Sequence, residues 1–239
     1  MPELDVLVFA AHPDDAEISM GGTIARFVKD NFKVGIVDFT RGELGSRGNR
    51  EIRDKESKKA AEILQLTIRE NLNLPDGALT VNEKSIKKTV AKIRMFKPKI
   101  IFAPYFNDRH PDHIAAGKIV KSAFFFSGVV KYSVFSDEGV ALNNYRPLKL
   151  FYYMLTYEFA PKFVVDVSDT FEIKLKAIEA YKSQFFNENN PAPATLISSK
   201  NFKDLIIARA KNFGFRIRKD FGEPFFTEEE LDFDFSTYL

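Results

Sequence analysis

The sequence predicts an α/β fold built on a mostly parallel sheet. Two observations carry this prediction: short runs of Val, Ile, Leu and Phe too continuous to be one-sided strands, and helix-like stretches that alternate with them. Strands covered on both faces show such continuous apolar runs, and repeated strand-then-helix order marks parallel βαβ units. At 239 residues the chain also fits one core, since single cores stop growing only near ~250–300 residues, so 1–239 is expected to form one domain.

Leu4 to Ala11 opens the pattern as a buried strand, and Ile18 to Asn31 follows as a helix. Lys33 to Phe39 is a second strand, completing a crossover unit whose expected hand is right. The polar, glycine-rich stretch Thr40 to Gly48 is a loop and a candidate lid, leading into a charged helix from about Arg50 to Leu66. Ile68 to Leu72 is a short strand, Ser85 to Phe96 a helix, and Lys99 to Ala103 another buried strand ending at Pro104. Residues 111–127 form the next helix, with Pro111 at its first position and Asp112 in the first turn, where a carboxylate suits the helix dipole. Beyond Gly128 come strands at Lys149–Leu155 and Phe163–Val167 and helices near Asp169–Gln184 and Asn201–Phe213. The polar loop Asn187 to Pro193 is expected to rim the site, and the acidic, Phe-rich stretch 223–239 to dock as a tail on its own subunit or another.

Composition narrows the function. With 35 Lys+Arg against 33 Asp+Glu, a net charge of +2 gives no electrostatic case for nucleic acid or an anionic membrane, so a small-molecule substrate is expected. The absence of cysteine excludes disulfides, thiolate metal sites and cysteine nucleophiles. Met1 to Asp5 lacks the basic start of a signal peptide, and no run approaches the ~18 apolar residues of a membrane helix, which points to the cytoplasm. Gly21 and Gly22 do not make a dinucleotide fingerprint, and the turn after the first strand carries three acids that would repel a pyrophosphate.

All three histidines sit in two short acidic clusters, His12-Pro13-Asp14-Asp15-Ala16-Glu17 and Asp108-Arg109-His110-Pro111-Asp112-His113. Each cluster follows the carboxyl end of a strand, where open parallel sheets place their ligand crevice. A catalytic Zn²⁺ typically takes three protein ligands and leaves the fourth place for water, a set that His12, Asp15 and His113 would supply. Asp14 then lies beside the metal, placed to take a proton from water. Nitrogen and oxygen ligands also accept Fe²⁺ or another divalent ion. Bland readings compete: Asp14 as a helix cap, Asp112 as a helix-start carboxylate, Glu17 as a first-turn acid.

The His-Pro-Asp-Asp-Ala-Glu cluster, followed about a hundred residues later by His-Pro-Asp-His, resembles the LmbE/PIG-L family of zinc-dependent N-acetylglucosaminyl deacetylases. Thr40-Arg41-Gly42-Glu43, Arg53, Phe102-Ala103-Pro104, Asp108-Arg109 and Tyr181-Lys182-Ser183-Gln184-Phe185 are similar to its bacillithiol-biosynthesis branch, which removes acetate from N-acetylglucosaminyl-malate. The resemblance implies a Rossmann-like three-layer αβα sandwich. It implies His12, Asp15 and His113 as zinc ligands, Asp14 as general base, His110 as acid or electrostatic stabiliser, and Asp112 as the carboxylate that orients His110 and raises its pKa. It implies Arg53 and Arg109 as substrate-contacting arginines, with Arg41 and Arg47 competing for a malate carboxylate, and Glu17 and Gln184 as further substrate contacts. A homo-oligomer, a hexamer in this branch, is also implied, with Phe124-Phe125-Phe126 or the tail as its apolar surface. Phe202 stands where some relatives carry a tyrosine that would face the oxyanion.

Overall fold

A computed structural model describes residues 2–186 and 192–232. The elements run β1 (Val6–Ala10), α1 (Asp15–Lys29), β2 (Val34–Asp38), α2 (Arg50–Ile63), β3 (Ile68–Asn71), α3 (Glu83–Phe96), β4 (Ile100–Pro104) and α4 (Pro111–Ser127). They continue with β5 (Lys149–Tyr153), β6 (Phe163–Asp166), α5 (Phe171–Glu179), α6 (Lys200–Arg216) and β7 (Gly222–Phe226). The strands form one sheet in the order β3-β2-β1-β4-β5-β7-β6. The β1–β2, β1–β4, β2–β3 and β4–β5 pairs are parallel, whereas β7 runs antiparallel to both β5 and β6.

Strand alternation divides the core between the two faces of the sheet. Leu7, Phe9, Val37, Ile101 and Tyr152 point to one side, where Val90 and Ile93 of α3 and Ile119 and Val120 of α4 cover them. Val6, Val8, Ile36, Phe102 and Tyr153 point to the other, beneath Met20 and Ile24 of α1 and Ala177 of α5. The result is the helix–sheet–helix layering expected from continuous apolar runs. Among the described residues no helix is long and apolar enough to cross a membrane.

The strand order turns at β1, with β2 on one side and β4 on the other, so a crevice opens beyond the carboxyl ends of β1 and β4. Both acidic clusters emerge there. Helix α4 reaches it because Gly117 lets the helix cross the end of β4 closely: a Cβ at that position would meet the Pro104 carbonyl oxygen at 2.5 Å.

Two expectations need correction. Residues 222–226 form the strand β7 between β5 and β6 where a docking tail was expected; 233–239 lie outside the described residues. Glu223 and Pro224 disguise the strand, since proline cannot donate to a ladder and a buried acid is atypical of one. Glu223 is buried because it meets Lys174 at 2.6 Å and accepts from Gly22 and Thr23 N–H at the kink of α1 around Met20. Helix α5 also ends at Glu179, short of Gln184, and Glu56 then holds Ser183 through its N–H and hydroxyl, both at 2.7 Å.

Candidate metal centre

The first cluster is shaped by the turn out of β1. Asp14 adopts φ 110°, left-handed backbone that a non-glycine residue rarely occupies. Arg53 of α2 holds it there: its guanidinium donates to the Pro13 carbonyl and lies 3.4 Å from Asp14 Oδ2. Asp15, the first residue of α1, accepts the His12 N–H at 2.9 Å, so the two potential ligands of this turn brace each other. In the second cluster Asp108 accepts the His110 N–H at 3.1 Å and the Thr156 N–H at 2.8 Å, tying the turn after β4 to the end of β5.

These turns bring His12, Asp15 and His113 together. Asp15 sits between the rings, its two oxygens 3.4 Å from His12 Nδ1 and 3.3 Å from His113 Nε2. The outer ring nitrogens face carboxylates: His12 Nε2 lies 2.9 Å from Asp76 Oδ1, and His113 Nδ1 lies 2.8 Å from Asp108 Oδ1. Carboxylates on the outer nitrogens fix ring orientation and turn the inner lone pairs toward Asp15, the arrangement metal-binding histidines commonly use. Asp76 is itself oriented by the Leu44 N–H at 2.8 Å.

Two further donor groups lie within 4.8 Å of one another, His12/His110/His113 and His12/Asp76/Asp112. In the second, both Asp112 oxygens accept backbone N–H groups, from Gly77 at 2.7 Å and Leu79 at 3.1 Å, and Oδ2 also lies 3.5 Å from His12 Nε2. In the first, His110 stacks on His113 with centroids 4.8 Å apart, and its Nδ1 accepts the Asp112 N–H at 3.2 Å. Asp15 lies against both rings, so His12, Asp15 and His113 also offer two imidazole nitrogens and one carboxylate oxygen. That donor chemistry suits a divalent first-row ion and fits Zn²⁺.

The electrostatics agree. Burial opposes the charged form of both rings, yet Asp112, Asp15 and Asp76 override it at His12, raising it well above the usual imidazole range, and Asp15 and Asp108 raise His113 to about 9. Without a cation the site therefore gathers protons where a dication's charge would sit. Burial pushes Asp14 up to about 7 against the pull of Arg53. Positive charge bound alongside would favour its ionised form.

His110 differs from expectation. Burial, reinforced by the neighbouring His12 and His113, lowers its pKa, and the Asp112 carboxylate does not hydrogen-bond to it. The correction has a simple cause: the Asp112 carboxylate is held by the backbone at 77 and 79, while its N–H caps the imidazole. Because Nδ1 accepts the Asp112 N–H, the neutral tautomer that fits this contact carries its proton on Nε2.

Three expected substrate contacts are already engaged. Glu17 is fully buried beneath the site, where Oε1 accepts from Arg69 and from the Tyr181 hydroxyl at 2.8 Å, so it faces neither His12 nor the cavity. Gln184 accepts from Arg53 at 3.3 Å and donates to the Arg47 carbonyl at 2.6 Å. Arg53 serves Asp14, as described. Of the competing arginines, Arg41 pairs with Asp54 and donates to Asn73 at 2.6 Å, and buried Arg47 donates to the Ser183 carbonyl at 3.0 Å. Arg109 is exposed at the cavity.

Sequence reading missed Arg69, which forks onto Asp38 at 2.9 and 3.1 Å while also holding Glu17, and it missed Asp76. The Pro75-Asp76-Gly77 turn was a visible signal, since turn aspartates point their carboxylates at nearby backbone.

The cavity above the histidines measures about 520 Å³. His12, Asp14, Asp15, His110 and His113 form its polar end; Leu155, Leu196, Phe202 and Ile206 form an apolar wall. Phe202 thus lines the site with a ring that carries no hydroxyl. The 40–48 loop is fastened rather than free, through Leu44 on Asp76 and Gly42 on Arg53, and it forms a wall. Of the expected rim loop, 187–191 lie outside the described residues, and Thr195 to Ile197 line the cavity.

Comparison with known proteins is consistent with this geometry. The model of the PIG-L family, GlcNAc-PI de-N-acetylase, matches residues 7–124, which include both clusters. Diacetylchitobiose deacetylase of Thermococcus kodakarensis is 31% identical, over 75% of this chain and 70% of its own length. A probable N-acetyl-alpha-D-glucosaminyl L-malate deacetylase 2 of Bacillus cereus is 30% identical, over 76% of this chain and 84% of its own. The crystal structure of a conserved protein from Thermus thermophilus superposes with a TM-score of 0.86 at 34% identity, covering 97% of both chains.

Proposed function

The chain belongs to the PIG-L/LmbE family and is a hydrolytic N-deacetylase, and from that premise we propose that it removes acetate from N-acetyl-α-D-glucosaminyl L-malate. The observation that carries the reading is Asp15 standing between His12 and His113, with Asp14 lining the same cavity. The match across 84% of the Bacillus cereus relative supports the malate conjugate as a candidate substrate.

His12, Asp15 and His113 would hold a divalent ion, zinc by preference, with iron or another first-row metal admitted by the same donors. When bound, the ion supplies Lewis acidity toward both water and the acetamide carbonyl. Asp14 takes the proton from the attacking water as its oxygen bonds to the carbonyl carbon. Arg53 holds the carboxylate in place for that transfer. Neutral His110 donates through Nε2 to the oxygen that becomes negative, a role a fixed dipole fills without reorganising. Protonated Asp14 then delivers its proton to nitrogen as the C–N bond breaks, giving acetate and the free amine. Asp112 and Asp108 act on position, the first through the His110 ring and the second through His113.

The proposed setting is the cytoplasm and the proposed assembly a homo-oligomer. Phe125, 58% exposed on α4, offers an apolar contact. Light scattering at the 27.3 kDa monomer mass at micromolar concentration would overturn the assembly.

The function is tested by primary amine release from N-acetylglucosaminyl-malate, N,N'-diacetylchitobiose and free N-acetylglucosamine, with zinc-loaded and chelated protein. Chelator-sensitive release greatest on the malate conjugate supports the reading. Release only from chitobiose would transfer the assignment to another amino sugar.

A further inference from the structure

Most arginines near the cavity are already committed. Arg53 holds Asp14, Arg69 neutralises Asp38 and Glu17, and Arg41 is paired with Asp54. Arg209 of α6 is different. It lines the cavity, and Nη1 donates to the Leu155 carbonyl at 2.5 Å; its Nε, like that of Arg53, is buried with no hydrogen-bond partner, but Arg53 has the Asp14 carboxylate beside it. Among the described residues no carboxylate stands within ion-pairing distance of it. Burial lowers its pKa, and Glu158 and Asp108 offset that only through longer-range attraction.

A largely buried guanidinium without a counter-ion is costly, and the cost falls when an anion arrives. Its surroundings raise the value of such a pair. Phe202, Leu205 and Ile206 precede Arg209 at helical spacing and line the same cavity, with Leu155 beside them. An anion there would have these apolar side chains beside it, and a charge-assisted fork onto an arginine is among the stronger hydrogen-bonded pairs. At the histidine end of the cavity Arg53 is paired with Asp14 and Arg109 is exposed to solvent.

We propose that Arg209 is a specificity-determining residue: it binds an anionic group, a carboxylate in the proposed substrate, on the aglycone while the acetamide occupies the histidine end. This assignment rests on the deacetylase reading of the cavity. It shifts carboxylate recognition from Arg53, which serves Asp14, to a residue of α6, with exposed Arg109 at the rim. The short aliphatic body of a small dicarboxylic acid would lie along Phe202 and Ile206, and its carboxylate would meet the Arg209 fork.

The experiment compares wild type, Arg209→Gln and Arg209→Lys on two substrates that share the sugar, N-acetylglucosaminyl-malate and methyl N-acetylglucosaminide. Because a hydrogen bond to a charged group is typically worth several-fold to a hundred-fold in binding, Arg209→Gln should lower the malate-over-methyl ratio of kcat/KM by about 10-fold or more, mainly through KM. Arg209→Lys should recover part of that ratio. An equal proportional loss on both substrates, or an unchanged ratio, overturns the assignment. Calorimetric binding of the two amine products separates this from the parent reading. If wild type hydrolyses neither substrate, the deacetylase reading fails. A wild-type preference for glucosaminyl-malate over methyl glucosaminide that disappears in Arg209→Gln still supports the arginine, and no preference overturns it.

Discussion

Removing the Asp108 carboxylate probes how the second cluster is held. Its Oδ1 meets His113 Nδ1 at 2.8 Å and accepts the His110 N–H at 3.1 Å; its Oδ2 accepts the N–H groups of Thr156 and Tyr157 at 2.8 and 3.2 Å. Asp108→Ala leaves three backbone donors and one ring nitrogen without their acceptor. A buried donor left unmade costs ~1–3 kcal/mol, and because these three contacts are part-buried, with Tyr157 48% exposed, their joint cost should be about 1–3 kcal/mol. A second effect is separate: losing the carboxylate behind a metal-binding imidazole typically weakens metal affinity ~10–100-fold. Asp108→Asn keeps an acceptor and should fall between the two. Urea denaturation of the metal-free proteins measures the first effect, and titration against a competing chelator measures the second. If Asp108→Ala lost stability but bound zinc as tightly as wild type, His113 would not depend on Asp108, and its place as a metal ligand would be in doubt.

Three more outcomes follow from the same contacts. Arg53→Gln removes the cation that holds Asp14 and should lower kcat by about 10-fold or more while leaving KM little changed; raised KM at unchanged kcat would place Arg53 on the substrate instead. Arg69→Met strands Asp38 and Glu17 without their shared cation and should cost about 3–5 kcal/mol in urea denaturation, whereas a loss below about 1 kcal/mol would show that water replaces it. His113→Ala should reduce zinc affinity by more than the ~10–100-fold expected of an outer partner, and unchanged occupancy would remove it from the ligand set.

Much of the fold was legible because the central strands are buried on both faces. Val6–Ala10 and Ile100–Pro104 are apolar without interruption, so each acidic cluster could be placed at a strand's carboxyl end and the two expected to converge. Strand β7 was hidden by Glu223 and Pro224, whose fit depends on Lys174 and on a helix kink distant in sequence. The site shows the same division. The histidines, Asp14, Asp15 and Asp108 were visible in the two clusters, but Asp76 arrives from the separate 75–77 turn, and the hold of Asp108 on His113 and on Thr156 depends on the folded turn. Arg69 looked like an edge-strand charge. Only the packing of β2 against β3 shows that it bridges Asp38 and Glu17 under the site. Which arginines have a carboxylate partner was equally invisible, since Arg41 and Arg53 differ from Arg209 in their partners rather than in local sequence.

The central claim is that Asp14 moves the proton beside a metal held by its neighbours. It is tested most directly by single-turnover and steady-state kinetics of Asp14→Asn, with zinc content measured in the same preparation. The account predicts full zinc occupancy with kcat lowered ~10²–10⁴-fold, the usual worth of a general base. Wild-type kcat at full occupancy would contradict it.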